Sequence, residues 1–413
     1  MTQARAAFRY PNYRFFLGAR FLITAASEMQ AVAVAWQVFG LTHRPLDLGL
    51  VGLAQFLPGI LLFLVAGHTA DRFPRKQIIL CCYGAFSITS LLLLIFALNG
   101  VSNVWPIYVA LLWNGTVRAF NGPAGQSLLP LIVPEEDFQN AISWSASTFQ
   151  VSVIIGPVIG GLLYGWTGSP VPAYAAAMTA YLLALLLFSR LRMTPPTRPR
   201  MPVSLVTVLE GLRFIWRNKL LLGALSLDLF AVLLGGAVAL LPIYAHDILH
   251  VGARGLGLLR SAPALGAVLM AVGAAHWPPR RQAGKAMLAG VLGFGIATVV
   301  FGLSHVFFLS LAALAACGAC DMVSVVVRQT MLQIGTPDEM RGRVSAVNMV
   351  FIGASNEVGQ FESGITAQWF GTVPAVVLGG LGTIAVVLAW SRLFPKLVEF
   401  RLGQSSNDKP LVL

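Results

Sequence analysis

Gln126-Ser127-Leu128-Leu129, followed by Pro134-Glu135-Glu136, recurs 203 residues later as Gln329-Thr330-Met331-Leu332, followed by Pro337-Asp338-Glu339. The same offset carries Gly156 onto Gly359 and Gly161 onto Gly364, and a nearby offset carries Pro74-Arg75-Lys76 onto Pro279-Arg280-Arg281. Three matching blocks in one order point to duplication of a single unit. Around them lie apolar runs near 14–40, 48–70, 77–98, 104–130, 140–167 and 171–191, then 219–245, 254–277, 284–304, 306–332, 343–370 and 373–394. Each run is long enough to cross a bilayer as a helix. The expectation is an all-α membrane protein with twelve transmembrane helices in two pseudo-symmetric six-helix bundles.

Composition agrees. A chain of 413 residues that is 57% hydrophobic and 11% charged has more apolar side chain than a soluble domain can bury. Residues 1–191 form the expected N-terminal bundle, 192–218 a cytoplasmic linker, and 219–413 the C-terminal bundle with a short tail. Pro195, Pro196, Pro199 and Pro202 keep the first part of the linker extended. Leu205, Leu209, Leu212 and Trp216 then repeat at amphipathic spacing suited to a helix on the membrane face.

The net charge of +12 sorts by side of the membrane and so does not point to nucleic acid. Arg5, Arg9, Arg14, Arg72, Arg75, Lys76, the 190–219 stretch, Arg280, Arg281, Lys285, Arg341, Arg343 and the C-terminal basic cluster fall on one side; the other offers little beyond Arg44 and Arg254. This asymmetry places both termini in the cytoplasm of a bacterial-type cytoplasmic membrane, with anionic lipid as a partner. The first apolar run carries Arg20 and Glu28, unlike the charge-free core of a cleaved signal peptide, so the first helix is expected to be retained.

Charges inside the spans are the functional signal. Arg20, Glu28, Arg118, Asp228, Asp321, Arg328, Glu357 and Glu362 sit within apolar runs, where a charge survives only against a partner or a wet cavity. Asp321 and Arg328, seven residues apart, lie on nearly one face about 10 Å apart along the axis, too far to pair. Each is expected to meet another helix, with Asp228 and Glu357 the available groups. Glu362 reads as an interhelical bond or a position near the extracellular end, and Arg260, at a span's start, as a snorkelling arginine. The carboxylate partner expected for Arg118 is Glu28; a structural clamp within the first bundle is the alternative.

Other chemistry is weakly supported. Cys81, Cys82, Cys317 and Cys320 all fall within spans, so neither a disulfide nor a metal site is expected. His43, His68, His246, His250, His276 and His305 have no metal-ligand spacing, and no phosphate-binding Gly-Lys-Ser/Thr loop occurs. No cofactor or enzyme activity is expected, and any transport is secondary.

Gly67-His68-Thr69-Ala70-Asp71-Arg72-Phe73-Pro74-Arg75-Lys76 resembles the loop signature of the major facilitator superfamily, with Pro74 where that family usually has glycine. The resemblance implies a cytoplasmic gate built from Gly67, Asp71, Arg72, Arg75 and Lys76, in which the aspartate pins the loop to a neighbouring helix end. A stop-transfer reading accounts for the bases but not for Asp71. The second copy, 274–281, lacks the aspartate. Gly156-Pro157-Val158-Ile159-Gly160-Gly161 is similar to the end of the family's antiporter motif, with tight helix packing as the plainer account. Arg118, with Asn121, Gly122 and Gly125, is similar to the fourth-helix arginine motif linked to proton transfer.

Over both halves the chain resembles the enterobactin-exporter and macrolide-efflux branch of that superfamily, through 67–80, Leu209-Glu210-Gly211-Leu212-Arg213-Phe214 and Met331-Leu332-Gln333 with Thr336-Pro337-Asp338-Glu339-Met340. This implies proton-driven export of a small amphiphilic molecule such as a siderophore or drug, by a monomer. Gln30, Trp36, Gln37, Trp113 and Asn114 are the expected pocket residues, although membrane-interface placement also suits the tryptophans. A proton-coupled importer on the same fold and a non-transporting membrane receptor or scaffold are the rival readings.

Overall fold

The computed structural model describes residues 3–126, 128–192, 205–276 and 282–401. The first part of the linker, the 277–281 loop and the tail beyond 401 lie outside the described residues. The N-terminal half runs α1 (Pro11–Thr42), α2 (Pro45–Leu61), α3 (Phe63–Arg72), α4 (Arg75–Leu98), α5 (Trp105–Gln126), α6 (Phe138–Thr167) and α7 (Val171–Ser189). The linker contributes α8 (Leu205–Arg217). The C-terminal half runs α9 (Lys219–Gly235), α10 (Leu241–Ile243), α11 (Gly252–His276), α12 (Ala283–Leu303), α13 (Phe307–Gly335), α14 (Asp338–Phe370), α15 (Thr372–Leu393) and α16 (Pro395–Glu399). No strand occurs among the described residues.

The second span, expected as one helix, is broken. Pro58 cannot donate to the helix ladder, and one turn later Leu62, at φ −100° and ψ 3°, separates α2 from α3. In the C-terminal half α9 continues through short 3-10, α10 and π turns, and together they make one crossing over Lys219–Ile248.

Among the described residues, nine helical stretches are long and apolar enough to cross a membrane on their own. The broken α2–α3 rod, α5 and α14 fall outside that set and complete the twelve crossings. These three carry Gln55, Arg118 and Glu357, polar groups that hydrocarbon does not tolerate without partners. Of these, α2 and α14 pack against each other across the halves, as α6 and α11 do on the other side, while α5 reaches the opposite half through Arg118.

Three apolar cores report how the halves meet. One, at the end away from the termini, mixes both halves: Val32, Phe39, Leu111 and Tyr174 pack with Leu241, Tyr244, Leu256 and Phe301. The second is confined to the N-terminal half around Tyr13, Tyr83 and Phe188, and the third to the C-terminal half around Leu225, Met287 and Met331. The halves thus share a core at one end and keep separate cores at the other.

Glycines set the close approaches. A β-carbon on Gly161 would lie 2.5 Å from the Ala253 carbonyl oxygen of α11, and one on Gly257 would lie 2.5 Å from that of Pro157. On the opposite side, one on Gly364 would lie 2.9 Å from the Gly49 Cα. The duplication is visible here. Gly156 faces α1 at Ala25 and its repeat mate Gly359 faces α9 at Leu233, while Gly161 and Gly364 each face the other half's second helix.

Candidate functional site at the junction of the halves

Midway along their helices, two ion pairs cross from one half to the other. Arg118 of α5 reaches Glu357 of α14 at 3.7 Å, and Arg260 of α11 reaches Glu28 of α1 at 3.5 Å. Each half lends one cation and one anion. The expected Arg118–Glu28 pair is therefore not formed: each takes its partner from the opposite half. Both pairs are partly hydrated, with side-chain exposures of 49% and 18% for the first and 23% and 27% for the second.

Amides extend the first pair. Gln55 Oε1 accepts from Arg118 Nη1 at 3.3 Å and from Asn114 Nδ2 at 3.4 Å, and Gln360 Nε2 donates to Glu357 Oε2 at 3.2 Å. Gly52 makes room for this, since a β-carbon there would touch Gln360 and Glu357. Behind the second pair, α6 is pressed onto α1: a β-carbon on Gly156 would lie 2.8 Å from the Glu28 Cβ, and one on Gly160 would lie 2.7 Å from the Met29 carbonyl oxygen. The Gly156, Pro157, Gly160 and Gly161 motif thus serves two contacts, Gly156 and Gly160 toward α1 and Pro157 and Gly161 toward α11.

Asp228 and Arg328 pair within the C-terminal half at 2.8 Å, and Arg328 also donates to Asn348 Oδ1 at 3.2 Å. Asp321 is partly exposed and lies within electrostatic reach of both. Arg20 stands apart beside Tyr13 and Tyr83, with no carboxylate among the described residues at ion-pair distance. Glu362 accepts from Thr366 Oγ1 at 2.8 Å within α14.

Of the five expected pocket residues, Asn114 joins the charged centre. Gln30 accepts from Ser90 Oγ at 2.7 Å and Gln37 from Tyr174 Oη at 2.6 Å, both inside the N-terminal half. Trp36 packs on Tyr164 and on His246 of the other half, where Phe39 and His43 also meet His246, forming an aromatic seam at the fused end. Trp113 is 47% exposed on α5.

At the proposed gate, Lys76 donates to the carbonyls of Ser189 at 2.8 Å and Leu191 at 2.7 Å and so caps α7, a cation at a helix C-terminus. Gly67 is buried and Arg72 exposed, and Arg75 has a partner of its own. The Asp71 side chain lies outside the described residues. On the linker, Arg343 of α14 pairs with Glu210 of α8.

Sequence reasoning missed Gln55 and read Arg260, which pairs with Glu28, as a snorkelling arginine. The signal was present at the offset of 205 that relates the two basic loops: Gly52-Leu53-Ala54-Gln55-Phe56-Leu57-Pro58 aligns with Gly257-Leu258-Leu259-Arg260-Ser261-Ala262-Pro263. In both copies a glycine touches the other half, a polar group follows one turn later, and a proline one turn after that.

Two related helix bundles that enclose reciprocal ion pairs define a membrane carrier. A model of the Major Facilitator Superfamily matches residues 16–360. The chain belongs to that superfamily, in its enterobactin-exporter-like branch; it is a multi-pass inner-membrane transporter of small molecules and not an enzyme. It is 28% identical to the enterobactin exporter EntS of Citrobacter koseri over 395 residues, 95% of this chain and 94% of that relative. To the enterobactin exporter EntS of Shigella boydii it is 30% identical over 383 residues, 92% and 87% of the two chains. Among solved structures it resembles a bacterial homologue of the human lysosomal transporter Spinster in an inward-facing, occupied conformation, at TM-score 0.75, 14% identity and coverage of 96% and 99%. It also resembles the nucleoside transporter NupG, at TM-score 0.72, 13% identity and coverage of 93% and 99%.

Proposed function

We propose that this chain exports a small amphiphilic molecule, of siderophore or drug type, in exchange for protons by alternating access. The observation that carries the reading is the pair of reciprocal ion pairs, Arg118–Glu357 and Arg260–Glu28, at the level where the halves meet. Ionised carboxylates attract the arginines of the opposite half and favour the arrangement described above. Proton uptake by the carrier weakens that attraction and frees the halves to rock.

With the termini in the cytoplasm, the shared core lies at the outer end and this conformation is closed to the outside. Residues 1–191 and 219–413 act as the rocking bodies, α8 rests on anionic lipid, and the carrier works as a monomer. Gln55, Asn114 and Arg118 supply directional polar contacts for the substrate. Gly67, Asp71, Arg72 and Arg75 form the cytoplasmic latch, with Lys76 anchoring its neighbouring helix. The similarity to enterobactin exporters supports export over import.

The test is flux in proteoliposomes loaded with enterobactin, a macrolide or a lipophilic cation under an imposed pH gradient. The proposal expects gradient-driven movement of at least one of them against the proton flow, lost in Glu28→Gln. Substrate moving with the protons would establish the importer, and buried-charge neutralisation without any flux to lose would favour the receptor.

A further inference from the structure

The C-terminal half holds a charged cluster with no equivalent in the N-terminal half. Asp228 and Arg328 are 6% and 3% exposed and are locked together at 2.8 Å. Asp321 lies on the same helix stripe as Ser324 and Arg328, at positions i, i+3 and i+7. Two carboxylates against one guanidinium leave one negative charge over, and an uncompensated charge in a low-dielectric interior is costly. Of the four buried side-chain polar atoms without partners among the described residues, two lie in this cluster, Ser324 Oγ and Arg328 Nε, and Ser324 is 1% exposed. A buried polar group in this position calls for a partner.

The repeats show how private this cluster is. Ala25 and Leu233 occupy matching places against Gly156 and Gly359, 208 residues apart, and the same spacing puts Arg20 where the C-terminal half has Asp228. The offset of 203 puts Arg118 where it has Asp321, and Gly125 where it has Arg328. The N-terminal half is cationic at the positions where the C-terminal half is acidic.

We infer that this cluster is the proton site of the carrier: Asp321, partly exposed and two turns from Arg328 of the buried Asp228–Arg328 pair, takes the transported proton one turn from the Ser324 hydroxyl. This rests on the proton-exchange reading above and narrows it. The crossing pairs act as latches, and the proton resides in one half. The step is a transfer from cavity water to an Asp321 carboxylate oxygen, forming one O–H bond and leaving hydroxide to be neutralised by bulk buffer. Proton loss restores the surplus negative charge. The ionisable groups within electrostatic reach of Asp321 are Asp228 of α9 and Cys317, Cys320 and Arg328 of its own helix, and Arg328 is also held by Asn348 of α14.

The experiment is pH-difference infrared spectroscopy of the full chain in nanodiscs, without substrate. Acidification should produce a carboxylic-acid C=O band that disappears in Asp321→Asn, persists in Asp321→Glu, and remains in Glu28→Gln and Glu357→Gln. In Ser324→Ala its midpoint should move by roughly twofold to tenfold in proton concentration, the scale of one ordinary hydrogen bond, which the Ser324 hydroxyl makes to Asp321 only once the proton is bound. A band that survives Asp321→Asn, or that vanishes in Glu28→Gln, overturns the assignment. If wild-type protein fails to move enterobactin yet shows the Asp321 band, the proton site stands and the substrate reading falls. If Asp321→Asn pumps enterobactin at the wild-type rate, the proton site falls and export stands.

Discussion

The two halves repeat one backbone and invert its charges. Arg20 and Arg118 in the N-terminal half stand at the positions of Asp228 and Asp321 in the C-terminal half. Gly52, Gly156 and Gly161 keep glycine mates in Gly257, Gly359 and Gly364, whereas the ionisable groups inside the spans are not kept. Packing therefore follows the pseudo-symmetry, and chemistry departs from it. Identical halves, related by an axis along the membrane normal, would present the same groups to each other across the junction. Opposite charges at equivalent positions let one half hold a cation while the other presents Arg118 to the partner half's Glu357.

The sharpest way to test this is to remove a charge from the private pair. Asp228→Ala leaves the Arg328 guanidinium buried without its counter-ion, which costs on the order of 3–5 kcal/mol. Thermal unfolding in detergent should show a large drop in midpoint and loss of monodisperse protein. The double variant Asp228→Leu, Arg328→Met should recover most of the stability while losing gradient-driven transport. Recovery of both would mean that the cluster is only structural.

The next effect falls on the shared glycines. Gly257→Val places methyl groups where a β-carbon alone would already lie 2.5 Å from the Pro157 carbonyl oxygen, so α11 cannot seat against α6. Spin labels at Arg44 and His250, both on the fused end, should move apart, and transport should fall by more than about tenfold. Unchanged label separation would show that this end does not close through the glycine contact.

A smaller effect is expected at the crossing pairs. Each is partly hydrated and longer than 3.4 Å, so breaking one costs about 1 kcal/mol, roughly a fivefold shift between conformations. Arg260→Gln should lengthen the same label distance modestly, and Glu28→Arg with Arg260→Glu should restore it. The contrast with Asp228 lies in hydration: a pair that must break in every cycle is kept loose, and one that must not is kept dry.

Much of this was legible in the sequence. Three repeated blocks fixed the duplication, and charges within apolar runs marked Glu28, Arg118, Asp228, Asp321, Arg328 and Glu357. Pairing was less legible. Helical periodicity tells which residues of one helix share a face, but not which face of another bundle comes opposite, so Arg118 was matched to Glu28 and not to Glu357. Gln30 and Gln37 misled for the same reason, since their face of α1 turns to α4 and α7. Arg260 was passed over because an arginine near a helix start usually snorkels, and only its alignment with Gln55 distinguishes it.

The smallest expected effect completes the comparison of the halves. Arg20 holds the place of Asp228, yet it has no carboxylate at ion-pair distance among the described residues and is only partly buried. Arg20→Met keeps the length and packing of the stem beside Tyr13 and Tyr83 and removes a charge that has no counter-ion to strand. The unfolding midpoint should therefore shift by an amount equivalent to no more than about 0.5 kcal/mol, far below that of Asp228→Ala. An equal loss in both variants would mean that Arg20 neutralises a carboxylate in another conformation. Its charge would then belong to the transport cycle and not to the resting fold.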